Sequence, residues 1–173
     1  DPEPAPSVTV VQALPKGDRG ELAVEVLTEV GVARVVPWAA SRSVAVWKGE
    51  RAEKGLAKWR STAREAAKQA RRTWHPVVDP MAGTPRVAEL VAAADLAVVL
   101  HEDATTTLAG LEVPASGSML VVVGPEGGIA PEELHAFTAA GATSVRLGSE
   151  VLRTSTAGVA AVAALLSRTS RWA

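Results

Sequence analysis

Residues 119–133 read MLVVVGPEGGIAPEE, an apolar run that reaches a glycine-rich turn and continues into the start of a helix. Five successive apolar residues, Met119 to Val123, are typical of a strand buried on both faces of a parallel sheet. Pro131 suits the first helical position, and Glu132 and Glu133 follow where the helix dipole favours carboxylates. The stretch therefore predicts a strand–turn–helix unit of an α/β protein.

The same alternation extends in both directions along the chain. Besides 119–123, strands are predicted at Val8–Leu14, Ala33–Val36, Leu96–Leu100 and Ser144–Leu147. Helices are predicted at Glu21–Val30, Glu50–Trp74, Arg86–Ala94, Pro131–Ala140 and Thr156–Leu166. The predicted fold class is α/β, a mainly parallel sheet flanked by helices, without an internal repeat or a dividing linker.

The composition of the 173 residues excludes several classes of protein. An apolar fraction of 47% is that of a globular chain, and no apolar run is long enough for a membrane helix. Cysteine is absent, which excludes disulfides and cysteine nucleophiles, and the three histidines lack the spacing of metal ligands. We expect a cytoplasmic protein with no metal and no membrane partner.

The turn Gly124-Pro125-Glu126-Gly127-Gly128 follows the carboxyl end of a strand, the place where open α/β sheets bind ligands. Its glycines allow the backbone to approach a ligand closely. It lacks the Lys-Ser/Thr pair of a P-loop and the spacing of a dinucleotide-binding turn, and it carries the carboxylate of Glu126. These residues favour a neutral or cationic ligand over a phosphate, although a plain tight turn with one exposed glutamate explains them about equally well.

A second turn of the same layout occupies residues 147–153, Leu-Gly-Ser-Glu-Val-Leu-Arg. Again a strand ends, a glycine redirects the chain, and hydroxyl residues begin a helix. Arg153 lies near that helix start, where the helix dipole does not favour a cation. An arginine there is either paired with a carboxylate, Glu126 or Glu150, or directed at an anionic substrate.

The helix predicted from Glu50 is strongly basic, with a net charge of +5 over residues 50–72. Four of its cations recur every four positions and so share one face: Arg60, Arg64, Lys68 and Arg72. Like charges at this spacing repel one another, which RNA phosphates lying against them would relieve. A solvated helix face is the simpler alternative. Trp59 and Trp74 flank the face, where they either stack on bases or pack in the core.

Six short stretches, in this order, resemble the ribosomal RNA small subunit methyltransferase E family of the SPOUT superfamily. They are Gln12–Asp18, Arg42–Val44, Glu65–Arg72, Leu100–Glu102, Gly124–Gly128 and Leu147–Thr154. Six motifs in one order are far more specific than any one of them, and the resemblance covers about residues 8–170.

The resemblance implies a SPOUT-type fold with a C-terminal trefoil knot, a homodimer with its sites at the interface, and S-adenosylmethionine as cofactor. It also implies methylation of N3 of the uridine at position 1498 of 16S ribosomal RNA in the small ribosomal subunit. The cofactor-binding residues that it implies are Leu100, His101, Gly124, Pro125, Glu126, Gly127, Gly128, Leu147, Gly148, Val151 and Leu152. Arg153 then stabilises the charge on the deprotonated uridine and contacts RNA together with the basic helix, while Glu126 or solvent accepts the proton.

Four positions depart from the family pattern. Ser155 stands where glutamate is usual, Glu150 where a basic residue is common, and Lys68 and Ala70 replace glutamate and serine. Two other functions also fit the sequence: a ribose 2′-O-methyltransferase of the same superfamily, and a non-catalytic RNA-binding subunit.

The resemblance also bears on domain organisation. We expect residues 1–7 to be a tail or linker remnant and residues 8–173 to form the methyltransferase domain. The family's N-terminal RNA-binding barrel domain has no place in these 173 residues. We therefore expect the chain to bind cofactor but to modify RNA poorly.

Overall fold

Six parallel strands form a single sheet in the computed structural model, which describes residues 1–173. The strands are β1 (Ser7–Ala13), β2 (Arg34–Trp38), β3 (Val77–Val78), β4 (Leu96–Leu100), β5 (Ser118–Val123) and β6 (Thr143–Val145). Their order in the sheet is β3-β2-β1-β5-β4-β6, and every neighbouring pair is parallel.

Five α-helices cover the two faces of the sheet. They are α1 (Arg19–Val30), α2 (Glu50–Gln69), α3 (Thr84–Ala93), α4 (Pro131–Ala139) and α5 (Thr154–Leu166), and short 3-10 helices lie at Leu108–Gly110 and Ser170–Trp172. The core on one face packs the sheet against α1, α2 and α5, and the core on the other packs it against α3 and α4. The α/β class with a parallel sheet is therefore confirmed. No helix has the length and apolarity that crossing a membrane requires.

Continuous apolar strands follow from this three-layer arrangement, because the central strands are buried on both sides. In β1, Val8 and Val10 belong to the core under α1, while Val11 and Ala13 belong to the core under α3. All four side chains are fully buried. The predicted strand β4 has the observed bounds, and the other predicted strands differ from the observed ones by at most two residues at either end.

The prediction that the basic helix continues to Trp74 is wrong, because α2 ends at Gln69. Arg71 adopts the left-handed backbone conformation with φ of 56°. The N–H of Arg72 then donates to the carbonyl of Ala67 (2.9 Å), and the N–H of Arg71 donates to that of Lys68 (3.0 Å). This is the Schellman pattern of helix termination, here with an arginine where glycine is usual. The trefoil knot remains a prediction.

Candidate active site

A cavity of about 680 Å³ opens at the carboxyl edge of four adjacent strands, β1, β5, β4 and β6. Because the strands are parallel, the turns that follow them meet at this edge. Lys16 follows β1, Gly124 follows β5, His101 follows β4 and Arg146 follows β6, and all four residues line the cavity. From β1 the sheet extends through β2 and β3 on one side and through β5, β4 and β6 on the other. The strand order therefore reverses direction between β1 and β5, and such a switch point is where α/β sheets bind ligands.

The turn at residues 124–128 lines the cavity with all five of its residues. The N–H of Gly128 donates to the carbonyl of Pro125 (2.9 Å), and Gly128 has a φ of +83°, a conformation that favours glycine. At Gly127 a Cβ atom would lie 3.1 Å from the carbonyl oxygen of Arg42. The turn therefore depends on glycine both for its backbone conformation and for its contact with the segment that carries Arg42.

The two glycine turns predicted from sequence are joined directly by hydrogen bonds. The Thr154 hydroxyl donates to the carbonyl of Gly124 (3.1 Å), and the Gln12 side-chain amide donates to the carbonyls of Thr154 (3.2 Å) and Ala13 (3.1 Å). Gln12 is fully buried at the end of β1. From the sequence, Gln12 was recognised only as part of a motif, although a single amide in an apolar strand indicates a specific polar contact.

Glu126 and Arg153, the two proposed reactive side chains, are both exposed at the cavity. One carboxylate oxygen of Glu126 accepts the backbone N–H of Lys16 (2.9 Å), which fixes the turn after β5 to the turn after β1. Arg153 occupies the N-cap position of α5 and forms no ion pair. The alternative in which Arg153 pairs with Glu126 or Glu150 is therefore wrong.

Charges of both signs surround the cavity without neutralising one another. Five cations line it: Lys16, Arg19, Arg42, Arg146 and Arg153. Four carboxylates join them: Glu102, Asp103, Glu126 and Glu150. None of these side chains forms an ion pair within the protein. The cavity therefore suits a ligand that carries both positive and negative groups, or a cationic ligand beside an anionic one.

The remaining predicted cofactor residues also lie at the cavity. Leu100, His101, Leu147, Gly148, Val151 and Leu152 all line it. The N–H of His101 donates to the carbonyl of Val145 (2.9 Å), and its Nδ1 accepts the N–H of Asp103 (3.2 Å), so the imidazole is held against the strand end. Val151 is 80% exposed and Leu152 41% exposed, so two adjacent apolar side chains of the cavity wall face solvent.

A buried carboxylate that the sequence analysis missed, Glu133, fixes the segment carrying Arg42. Glu133 is 5% exposed and accepts the N–H (3.1 Å) and hydroxyl (3.2 Å) of Ser41. It also accepts the Thr84 hydroxyl (3.0 Å) and the N–H of Ala130 (3.2 Å). From the sequence, Glu133 was predicted only to interact favourably with the helix dipole. Its third position in α4, from which a glutamate reaches back to the N-cap, was the signal that it forms further bonds.

The basic face of α2 is shorter and more engaged than predicted. Arg64 is exposed and free of ion pairs, Lys68 pairs with Glu65 (3.0 Å), and the Nε of Arg60 donates to the carbonyl of Val78 (3.1 Å). Arg72 lies beyond the helix, so the prediction that it shares the face is wrong. Trp59 is buried in the core, and Trp74 is half-buried.

Arg72 instead completes the packing at the other end of the sheet. Its guanidinium donates to the carbonyls of Thr28 (3.0 Å) and Val32 (2.8 Å) at the end of α1, and burial, with a smaller effect of nearby Arg171, lowers its pKa. Burial also lowers the pKa of Arg171, which donates to the carbonyls of Pro6 and Gly31 (each 3.0 Å). Both arginines therefore bind carbonyl groups near the end of α1, and Arg171 also joins this end to Pro6, the residue before β1.

Comparisons with known proteins agree with this geometry. Residues 2–166 match the family described as the RNA methyltransferase domain. Ribosomal RNA small subunit methyltransferase E of Mycobacterium bovis is 52% identical over 175 positions, which cover 99% of this chain and 67% of that protein. The protein of the same name from Bacillus subtilis is 30% identical and aligns with 94% of this chain and 66% of its own length.

A solved structure extends the likeness to three dimensions. Ribosomal RNA small subunit methyltransferase E from Neisseria gonorrhoeae, bound to S-adenosylmethionine, superposes with a TM-score of 0.82 at 30% identity. The match covers 93% of this chain and 65% of that one. The chain thus spans about two thirds of the length of these relatives.

Proposed function

Because this chain belongs to the ribosomal RNA small subunit methyltransferase E family of RNA methyltransferases, we propose that it uses S-adenosylmethionine to methylate 16S ribosomal RNA. The methylated atom is N3 of one uridine, of the position-1498 type. The observation that carries the proposal is the pair of glycine turns joined through Thr154 and Gln12 around one cavity.

The residues of the cavity fit this cofactor. A volume of about 680 Å³ falls within the usual range for small-molecule sites. S-adenosylmethionine is a sulfonium that carries an amino acid group, and when bound it supplies an electrophilic methyl group. Unpaired carboxylates suit its positive centres and unpaired cations suit its carboxylate. The turns Gly124–Gly128 and Leu147–Leu152 form the walls, with Leu100 and His101 between them.

The chemistry assigned to the protein's own residues is proton removal and charge stabilisation. Uridine N3 carries a weakly acidic proton, and the nitrogen becomes nucleophilic when that proton leaves. Arg153, exposed and unpaired at the cavity, stabilises the negative charge that spreads over the uracil ring. The free carboxylate oxygen of Glu126, or solvent, accepts the proton, while the other oxygen holds the Lys16 N–H.

Contacts with the rest of the RNA are assigned to the exposed cations. Arg153 lies at the cavity, and Arg60, Arg64 and Lys68 lie on α2, where RNA phosphates would relieve their mutual repulsion. Arg72 is left out, because its guanidinium is committed to two backbone carbonyls. Of Arg60, Arg64 and Lys68, only Arg64 has no partner within the protein.

The chain works as a homodimer in the cytoplasm, in this proposal, with each site completed at the interface. Exposed Val151 and Leu152 support this, because apolar side chains on a cavity wall are stabilised when a second copy covers them.

The proposed function is tested by incubating small ribosomal subunits with the chain and methyl-labelled S-adenosylmethionine, followed by mass analysis of the nucleosides. We expect 3-methyluridine from 16S RNA, at low yield if the additional third of the relatives assists RNA binding. Label on a ribose 2′-oxygen would point to the other methyltransferase chemistry. No label together with no cofactor binding would leave a non-catalytic RNA-binding protein.

A further inference from the structure

A second, separate cavity of about 390 Å³ lies against the first half of α2. It is lined by Trp47, Glu50, Arg51, Lys54, Gly55 and Lys58 and shares no residue with the proposed active site. We name the five residues Trp47, Arg51, Lys54, Gly55 and Lys58 the Trp47 surface. None of them belongs to the face of α2 that the sequence analysis assigned to RNA.

The indole of Trp47 is held in place on two sides. It packs edge-to-face on the buried ring of Trp59, with centroids 5.1 Å apart and an interplanar angle of 75°. It also lies directly over α2 at Gly55, where a Cβ atom would come within 2.6 Å of the ring. Trp47 nevertheless remains partly exposed and borders the cavity. It is thus an aromatic ring held in a fixed position at the edge of the cavity.

The lining of the second cavity carries three cations and one carboxylate, Glu50, so its net charge is positive. Arg51 and Lys54 are exposed and form no ion pair, whereas Lys58 pairs with Glu21 (2.9 Å), and that hydrogen bond raises the pKa of Lys58. A fixed aromatic ring beside two unpaired cations is the combination by which proteins bind single-stranded nucleic acid, with a base on the ring and phosphates on the cations. Positive charge around the ring disfavours a cationic ligand.

The segment between the two cavities connects them. Arg42 lines the active-site cavity and Trp47 the second cavity, and both belong to the stretch before α2. Five residues of fully extended chain reach at most about 18 Å. One RNA strand therefore can reach both cavities.

We propose that the Trp47 surface binds a nucleotide that flanks the target uridine, its base stacked on Trp47 and its phosphates on Arg51 and Lys54. This inference rests on the proposed function, since it names a further contact for the same RNA. We therefore expect the protein to prefer RNA in which the segment beside the methylated base is single-stranded.

The test uses a ten-nucleotide oligoadenylate, which has no uridine to occupy the active site. In a titration followed by tryptophan fluorescence, we expect quenching with the unmodified chain. Trp47→Phe removes most of that quenching, because it removes the indole. Trp47→Ala, which leaves no ring to stack on, weakens binding about fivefold or more, the factor to which the lower end of base–aromatic stacking energies corresponds.

Charge reversal gives a second, independent measurement in case Trp47→Phe disturbs the packing on Trp59. Arg51→Glu should weaken binding and reduce the slope of log affinity against log salt by about 0.7, while the quenching at saturation stays. The matched control is Arg86→Glu, the same change on α3 at the opposite face of the sheet. Equal effects of Arg51→Glu and Arg86→Glu, or full quenching in Trp47→Phe, would overturn the inference.

Calorimetry with S-adenosylmethionine on the same proteins separates this inference from the proposed function. We expect cofactor binding to be unchanged in Trp47→Phe and Arg51→Glu. Cofactor binding without any RNA quenching would overturn the role of the Trp47 surface alone and favour a protein as its partner. Absence of cofactor binding in the unmodified chain would overturn the proposed function instead.

Discussion

Replacing Glu133 with alanine removes one carboxylate that joins three segments, so its effect is expected to be large for a single side chain. Glu133 accepts four hydrogen bonds from Ser41, Thr84 and Ala130 and is 5% exposed. The two hydroxyl donors can turn to other acceptors. Ala130 is 3% exposed, so its N–H is shielded from water and loses the acceptor that the Glu133 side chain supplies.

The magnitude follows from these bonds. An unsatisfied buried N–H costs about 1–3 kcal/mol. The N–H of Ser41 belongs to an exposed residue and regains water, so its loss adds about 1 kcal/mol. We expect the free energy of unfolding to fall by about 2–4 kcal/mol in Glu133→Ala. Glu133→Gln, which keeps one acceptor oxygen, should fall between Glu133→Ala and the unmodified protein.

Urea denaturation followed by circular dichroism measures this difference, and Glu132→Ala is the matched control. Glu132 is the neighbouring exposed carboxylate in the same first turn of α4, where its loss costs about 0.3–1 kcal/mol through the helix dipole alone. Cofactor affinity should also fall in Glu133→Ala. Glu133 binds Ser41, and the next residue, Arg42, lies against Gly127 in the turn Gly124–Gly128 that lines the cavity. If Glu133→Ala and Glu132→Ala were equally stable, the reasoning about a clamp at Glu133 would be refuted.

Four further substitutions test separate residues of the site and the fold. Arg153→Ala should abolish methyl transfer and leave cofactor affinity nearly intact; equal losses of both in calorimetry and activity assays would place the residue in the cofactor pocket. Arg72→Ala should lower the free energy of unfolding by about 1–3 kcal/mol, through the two carbonyls it leaves, without changing the salt dependence of RNA binding. Arg64→Glu should reduce the salt dependence of RNA binding and leave the free energy of unfolding nearly unchanged. A reduced salt dependence of RNA binding in Arg72→Ala would contradict the structural role of Arg72. Thr154→Val should weaken cofactor binding about fivefold by cutting the bond to Gly124, as calorimetry would measure, and unchanged affinity would mean that the two turns are positioned independently.

The sheet was predictable because its strands are continuous apolar runs, and a run such as Leu96–Leu100 has few other uses in a globular chain. The two-residue strand Val77–Val78 was not, since no periodicity exists over two positions. The end of α2 was misplaced because Pro76 was the only visible helix breaker. The helix instead ends at Gln69, where Arg71, a residue type that rarely adopts a left-handed conformation, turns the chain.

The position of the candidate site was predictable for a topological reason: parallel strands place the turns after their carboxyl ends at one edge. What joins those turns was not predictable, because Gln12 and Thr154 are 142 residues apart in sequence. The placement of Lys16, Arg19 and Arg42 at the cavity depends in the same way on which strands become neighbours. The role of Arg72 was not predictable either, because the sequence does not show that its guanidinium is partly buried and donates to backbone carbonyls instead of facing solvent.

The most direct test that the cavity binds S-adenosylmethionine is to measure cofactor affinity by calorimetry for the unmodified chain and for Gly127→Val, a change in the turn Gly124–Gly128. A side chain at Gly127 must displace the Arg42 backbone, whereas a Cβ at Gly83, the control position, meets only an ordinary contact at 3.7 Å. We predict binding of one cofactor molecule per chain, with at least a tenfold loss of affinity in Gly127→Val and none in Gly83→Ala. No heat of binding in the unmodified chain, or equal affinities in all three proteins, would contradict the account.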